Sequence, residues 1–336
     1  MEPNDTWPCK AHGIGSPSRH LSARRLATVA PGVFVLVLVI AVLHVVWNAI
    51  LKSSGDPLRT AERAVGAGVA AFAPVVGIAW WSIGRPAIPL EAVGLAALSG
   101  ILETAYFICL AAAYKRGDLS VVYPIARGTA PLLSVGLGVF LLGERLGQVG
   151  TLGVLALLAG ILLVQRPWRV LSAVRRRAGG GSVQRGGDPL GAAEFALLTG
   201  VMIAAYSAVD RVGARLVAPW LYAAIVFPIC AVTLILWVRL VADRRTRPDE
   251  PAPSPASWRR ASAAGVISLG AYGLVLLAYT LAPLSAVAPL RESAVVIASA
   301  WGAIAMGEAV TQGERVRRIG GACLVLAGAV LLALEG

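Results

Sequence analysis

The chain has 336 residues, 57% of them hydrophobic and only 14% charged, with a mean hydropathy of +0.74. That leaves too few polar side chains to cover a water-facing globule, so a soluble fold is excluded. The formal charge of +12 does not signal nucleic acid, because the basic residues sit in loops between apolar stretches, where they set membrane topology.

In chain order, residues 1–31 are polar and rich in Ser and Pro, and are expected to form a disordered tail. The apolar run that follows continues through Ile50. It is longer than a usual signal-peptide core and has no clean Ala-x-Ala site after it, which predicts a retained first helix. Runs long enough to cross a bilayer as helix lie near 32–51, 62–82, 90–113, 119–142 and 147–165, and again near 189–209, 216–238, 262–282, 284–306 and 319–334. The runs are continuous and show no period-2 alternation, so helices are expected rather than barrel strands. A basic, Gly-rich linker at 166–188 separates the two groups of five, and a second polar stretch, "DRRTRPDEPAPSPASWRR" from Asp243, follows the seventh span. The expected fold is an all-α membrane protein of ten transmembrane helices, divided into a tail (1–31), a five-helix repeat (32–165), the linker (166–188) and a second repeat (189–336).

The division into two repeats rests on internal identity. At an offset of 165, Gly100, Ala113, Tyr114, Leu119, Ser120, Val122 and Pro124 fall on Gly265, Ala278, Tyr279, Leu284, Ser285, Val287 and Pro289. "GERLGQVGTLGVLALLAGILL" from Gly143 matches text from Gly307 more loosely, and "WNAILKSSG" from Trp47 resembles "YSAVDRVGA" from Tyr206. Five is an odd number, so the second copy enters the membrane from the opposite face. Such inverted repeats are typical of secondary transporters, whose substrate sites lie near the midplane between the halves.

These segments, together with "VVYPIARGTAPLL" and "APLRESAVVIASAWGAIAMGE", resemble the drug/metabolite transporter superfamily, in particular its EamA-type members with two EamA domains. The resemblance covers residues 32–335. It implies a ten-helix basket in which the first, third, fourth, sixth, eighth and ninth helices line a central cavity, while the fifth and tenth lie at the periphery. It also implies that both termini face the cytoplasm. The basic residues point the other way: 20 Lys and Arg lie in or at the edges of the odd-numbered loops, against 8 on the opposite side, which by the positive-inside rule places the tail outside.

Charges at membrane depth are costly and mark sites or partners. Arg127 shares a helical face with Pro124, Gly128 and Pro131 in the fourth span. It is a candidate for an anionic substrate group or for a structural ion pair. Arg127 plus 165 is Glu292, so the repeat sets a carboxylate in the ninth span against a guanidinium in the fourth, with Arg291 adjacent. A mutual pair would either lock the halves and break during transport or only neutralise buried charge. Glu103, at the centre of the third span, is a candidate proton carrier or a hydrogen-bonded structural residue. His44, Trp47 and Asn48 share a face of the first helix, with Lys52 one turn on, and can line a cavity or pack. Tyr106, Tyr206 and Tyr272, with Tyr114, are candidates for stacking on a polar organic substrate or for packing. Glu144 and Glu308 sit at span ends beside Gly, where they cap or face water. Gly136, Gly138, Gly150 and Gly153 are expected at close helix contacts.

The cysteines, Cys9, Cys109, Cys230 and Cys323, have no paired spacing, so neither a disulfide frame nor a metal site is expected. No Ser-nucleophile motif, His-rich metal set or phosphate-cradling loop occurs, and no cofactor is called for. The sequence predicts a secondary-active carrier, an exporter or exchanger, of a small polar metabolite in a bacterial inner membrane. Its energy would come from the substrate gradient, exchange or protons. An intramembrane transferase centred on Arg127, Glu103 and His44, and a non-transporting scaffold or sensor, are the alternatives.

Overall fold

A computed structural model of the chain describes residues 31–116, 119–169, 171–172, 189–242, 254–292, 296 and 311–334. The expected tail, most of the linker and Glu308 lie outside the described residues, as do the side chains of Asn48 and Lys52. The first five helices are α1 (Pro31–Lys52), α2 (Pro57–Ser82), α3 (Leu90–Arg116), α4 (Leu119–Gly136, continued by a π-helical turn Leu137–Leu141) and α5 (Gln148–Gln165). The second group is α6 (Pro189–Gly213), α7 (Pro219–Trp237, continued by a π-helical turn Val238–Ala242), α8 (Trp258–Leu281), α9, described over 284–292, and α10 (Gln312–Leu334). No strand occurs among the described residues. By length and composition α2, α3, α5, α6, α7 and α8 are each apolar enough to cross a membrane. The protein is an all-α, multi-pass membrane protein.

Local signals explain where several helices start. Asp56 caps α2 by accepting from Arg59 N at 3.0 Å, with Pro57 in the first turn where its missing N–H is no loss. Pro219 opens α7 in the same way. The sixth apolar run ends near residue 209, but α6 runs on to Gly213. Asp210 and Arg211 both have partners inside the protein, so the helix continues through them.

The packing is symmetric under exchange of the two groups of five. α3 packs along α6 as α1 packs along α8, and α3 meets α7 as α8 meets α2, while α5 and α10 pack on each other. Close glycine contacts carry these crossings. A Cβ on Gly100 would stand 2.7 Å from Val226 O in α7, and one on its repeat equivalent Gly265 would collide with Ala64 O in α2. On α5 and α10, Gly153 abuts the backbone of Gly328 and Gly160 that of Gly321. Residue number rises along one helix as it falls along the other, so the fifth and tenth helices are antiparallel, as an inverted duplication requires. Bare backbones let helices approach closely where lipid supplies no hydrophobic drive for association. Gly153 and Gly138 therefore sit at close contacts, and Gly150 is buried. Gly136 does not, since a Cβ there meets nothing within 4 Å.

Candidate functional site

The helices flanking this pseudo-twofold bring the intramembrane charges to one place. Arg127 in α4 donates from Nη1 to both carboxylate oxygens of Glu292 in α9, at 2.9 and 3.1 Å. Arg291 adds an Nε contact to Glu292 Oε1 at 3.3 Å. Arg127 and Glu292 are 9% and 2% exposed, and Arg291 is buried as well. The two residues that the offset of 165 makes equivalent are thus in direct contact across the halves. Glu292 stands between two guanidiniums, an arrangement in which the attraction of the pair offsets part of the cost of taking three charges from water.

His44 in α1 is half-buried, donates from Nδ1 to Ile40 O across 3.2 Å, and lies within Coulombic reach of Arg127, Arg291 and Glu292. Trp47, one turn on, is buried with its ring edge-on to Phe107 at 5.8 Å. Glu103 is 4% exposed, and among the described residues its carboxyl has no hydrogen-bond or ion-pair partner, though Arg291 and Asp210 are within Coulombic reach. Tyr106, Tyr206 and Tyr272 form a continuous aromatic run. Tyr106 meets Tyr206 at 6.0 Å, Tyr206 meets Tyr272 at 6.3 Å, and Phe227 closes against Tyr272 at 4.8 Å. Such offset and edge contacts add roughly 0.5–1.5 kcal/mol per pair beyond burial. Tyr114 is only partly buried and packs against the core's edge.

Two buried polar groups escaped the sequence reading. Asp210 is fully buried, and its carboxylate accepts from Ser99 Oγ at 2.6 Å and from Tyr272 Oη at 2.5 Å, with Tyr222 beside it. In the repeat alignment Asp210 falls on Leu51 and Ser99 on Ala264. This polar knot is therefore not repeated by the pseudo-twofold and is not demanded by the fold. Tyr206 and Tyr272 fall on Trp47 and Phe107, so the same aromatic pair recurs in both halves, with hydroxyls in only one of them. The second missed group is Arg211. It donates from Nε to Glu144 Oε1 at 3.0 Å and from Nη1 to Tyr279 O. Glu144 does cap a helix, but a distant one: it accepts from Leu284 N at 2.7 Å and Ser285 N at 2.9 Å at the start of α9. Among the described residues no group of His, Cys, Asp and Glu could hold a metal ion.

Two antiparallel five-helix groups around a buried charge cluster define a membrane protein of the inverted-repeat class. The model of the EamA-like transporter family matches twice, over residues 30–166 and 191–334, and the chain belongs to that family. The spermidine export protein MdtI of Shigella flexneri is 39% identical over 72 residues, which is 21% of this chain and 64% of that protein, so less than two thirds of the relative is spanned. A solved crystal structure of a protein superposes with a TM-score of 0.61 at 19% identity, covering 90% of this chain and 99% of that one, which speaks for the fold alone.

Proposed function

We propose that the chain is a secondary-active carrier, an exporter or exchanger, of a small polar metabolite across the inner membrane, and that it works by alternating access around the Arg127–Glu292 cluster. The observation that supports this most is the contact itself. Arg127 and Glu292 occupy equivalent positions in inverted halves and meet beside the repeat axis, where a midplane site is expected in such folds. In this reading Arg127 and Arg291 exchange Glu292 for an anionic group of the cargo. His44 and Trp47 line the same space, with Asn48 assigned to it by its helical spacing alone, and Tyr106, Tyr206 and Tyr272 stack on the cargo's organic body. Glu103 carries the coupling proton, as a buried carboxyl with no hydrogen-bond or ion-pair partner among the described residues can do. The family match supports transport as the activity. The name of the spermidine exporter makes a polyamine the contrasting cargo to try: it has no anionic group for the two arginines, so its transport would point to Glu292 as the ligand instead.

The test is flux into proteoliposomes, with analysis of what is recovered, using metabolite mixtures that include spermidine. Unaltered cargo that accumulates only with the protein present supports the carrier. Chemically altered cargo would assign a transferase instead, and no flux of any component would leave a scaffold or sensor.

A further inference from the structure

The repeated phrase of the sequence has a structural counterpart outside the charge cluster. Glu144 follows α4 in the first half, and every polar partner described above for its carboxylate belongs to the second half. These are Arg211 near the end of α6 and the N–H groups of Leu284 and Ser285 that open α9. Arg211 in turn holds the carbonyl of Tyr279, near the end of α8. Four elements thus meet at one carboxylate, and the same four carry Arg127, Asp210, Tyr272 and Glu292 further along. From Leu284 to Glu292 is eight residues, a helical rise of about 12 Å. The junction therefore stands about two turns above the ion pair, on the membrane face where α4, α6 and α8 end.

The backbone is shaped to deliver Glu144 there. α4 widens into the π-helical turn Leu137–Leu141, Gly143 takes φ +64, and Glu144 N donates back to Gly138 O at 2.9 Å. A π-helical turn inside an α-helix is rare and recurs at functional positions. Gly138 has to be bare, since a Cβ would lie 2.5 Å from Glu144 Oε2 and 3.2 Å from Ser285 N. Glu144 and Arg211 are almost wholly withdrawn from solvent, with side chains 8% and 11% exposed.

We infer that Glu144 and Arg211 form a latch that seals this face of the carrier, positioning α9 and the ends of α6 and α8 over the charge cluster and parting when the face opens. The inference rests on the alternating-access reading, in which halves that rock apart must break whatever ties them at the opening face. A carboxylate that accepts two backbone N–H bonds and one guanidinium bond at once ties them with charge-assisted bonds. These are strong enough to hold a state and few enough to be released together. Asp210 is the residue next to Arg211 in sequence. The last turn of α6 therefore links the buried polar knot to the latch.

The experiment uses full-length protein in proteoliposomes, with the native cysteines replaced and one reporter introduced by Ser207→Cys. Ser207 is fully buried and lies four residues before Arg211, one turn deeper on the same helical face. A water-soluble maleimide is the probe. Glu144→Gln and Arg211→Gln are each expected to raise the labelling rate on the order of tenfold, the effect of losing one charge-assisted bond from a two-state closure. Arg211→Gln leaves the cap on α9 intact, so it keeps the test open if Glu144→Gln folds poorly in size-exclusion chromatography. Unchanged labelling in folded Arg211→Gln overturns the latch and leaves Glu144 as a helix cap alone. Flux is measured in the same vesicles. Flux with unchanged labelling sinks only the latch, whereas labelling that rises in a protein without flux upholds the latch and removes the carrier reading.

Discussion

Removing both members of the central ion pair should cost less than the sum of the single losses, and the cost of each single loss should depend on which member goes. Arg127→Met takes one guanidinium from Glu292 but leaves Arg291 at 3.3 Å, so the carboxylate retains a cation. Glu292→Gln removes the carboxylate that two buried guanidiniums share. Stranding a buried charge costs about 3–5 kcal/mol. Glu292→Gln is placed at the upper end of that range and Arg127→Met at or below the lower end. The double variant strands only Arg291 and should recover about 2 kcal/mol relative to the sum of the singles. At about 2–4 °C per kcal/mol for a chain of this size, the singles differ by several degrees in apparent Tm. Thermal unfolding in mild detergent, followed by fluorescence-detected size exclusion, reads this directly. Losses that simply add in the double variant would refute the argument, since uncoupled residues cannot be sharing a buried charge. A double variant that regains stability but carries no cargo would assign Arg127 to the substrate, while return of activity with stability would make the pair purely structural.

Further outcomes follow from other parts of the molecule. Gly160→Val should destabilise by about 1–3 kcal/mol through overpacking, because a Cβ there already stands 2.6 Å from Gly321 O, whereas Gly136→Ala should leave Tm unchanged. Tyr272→Phe removes a hydroxyl from Asp210 and should cost about 1–2 kcal/mol in the same unfolding assay; no change would mean that the short contact does not support the carboxylate. Glu103→Gln should abolish uphill uptake driven by a pH gradient while exchange of labelled for unlabelled cargo persists, and uphill uptake retained in this variant would exclude the proton role. Single cysteines at Ser53 and Ser254 should be labelled by an impermeant reagent from one side of the membrane and a cysteine at Arg85 from the other. Labelling of all three from the same side would break the ten-helix topology.

Composition and apolar run length were sufficient to put the chain in a bilayer as helices, because a membrane demands continuous apolar runs and leaves the backbone no other spanning form than helix or closed barrel. The odd number of spans per repeat made the halves antiparallel before any packing was known, and the Gly153–Gly328 and Gly160–Gly321 crossings are the physical form of that parity. The offset of 165 marked Arg127 and Glu292 as equivalent. Equivalence alone does not bring two residues together; only residues near the symmetry axis can touch their own counterparts, and the distance from that axis is set by how α4 and α9 pack. Asp210 and Arg211 were hidden for a related reason. A charge at the end of an apolar run reads as the start of a loop, and what keeps both residues helical is Ser99 and Tyr272 on one side and Glu144 on the other, 111, 62 and 67 residues away in sequence. Local sequence carries hydrophobicity and turn chemistry but not those distant donors and acceptors. The span boundary, the polar knot and the junction on α9 were therefore decided only when the helices came together.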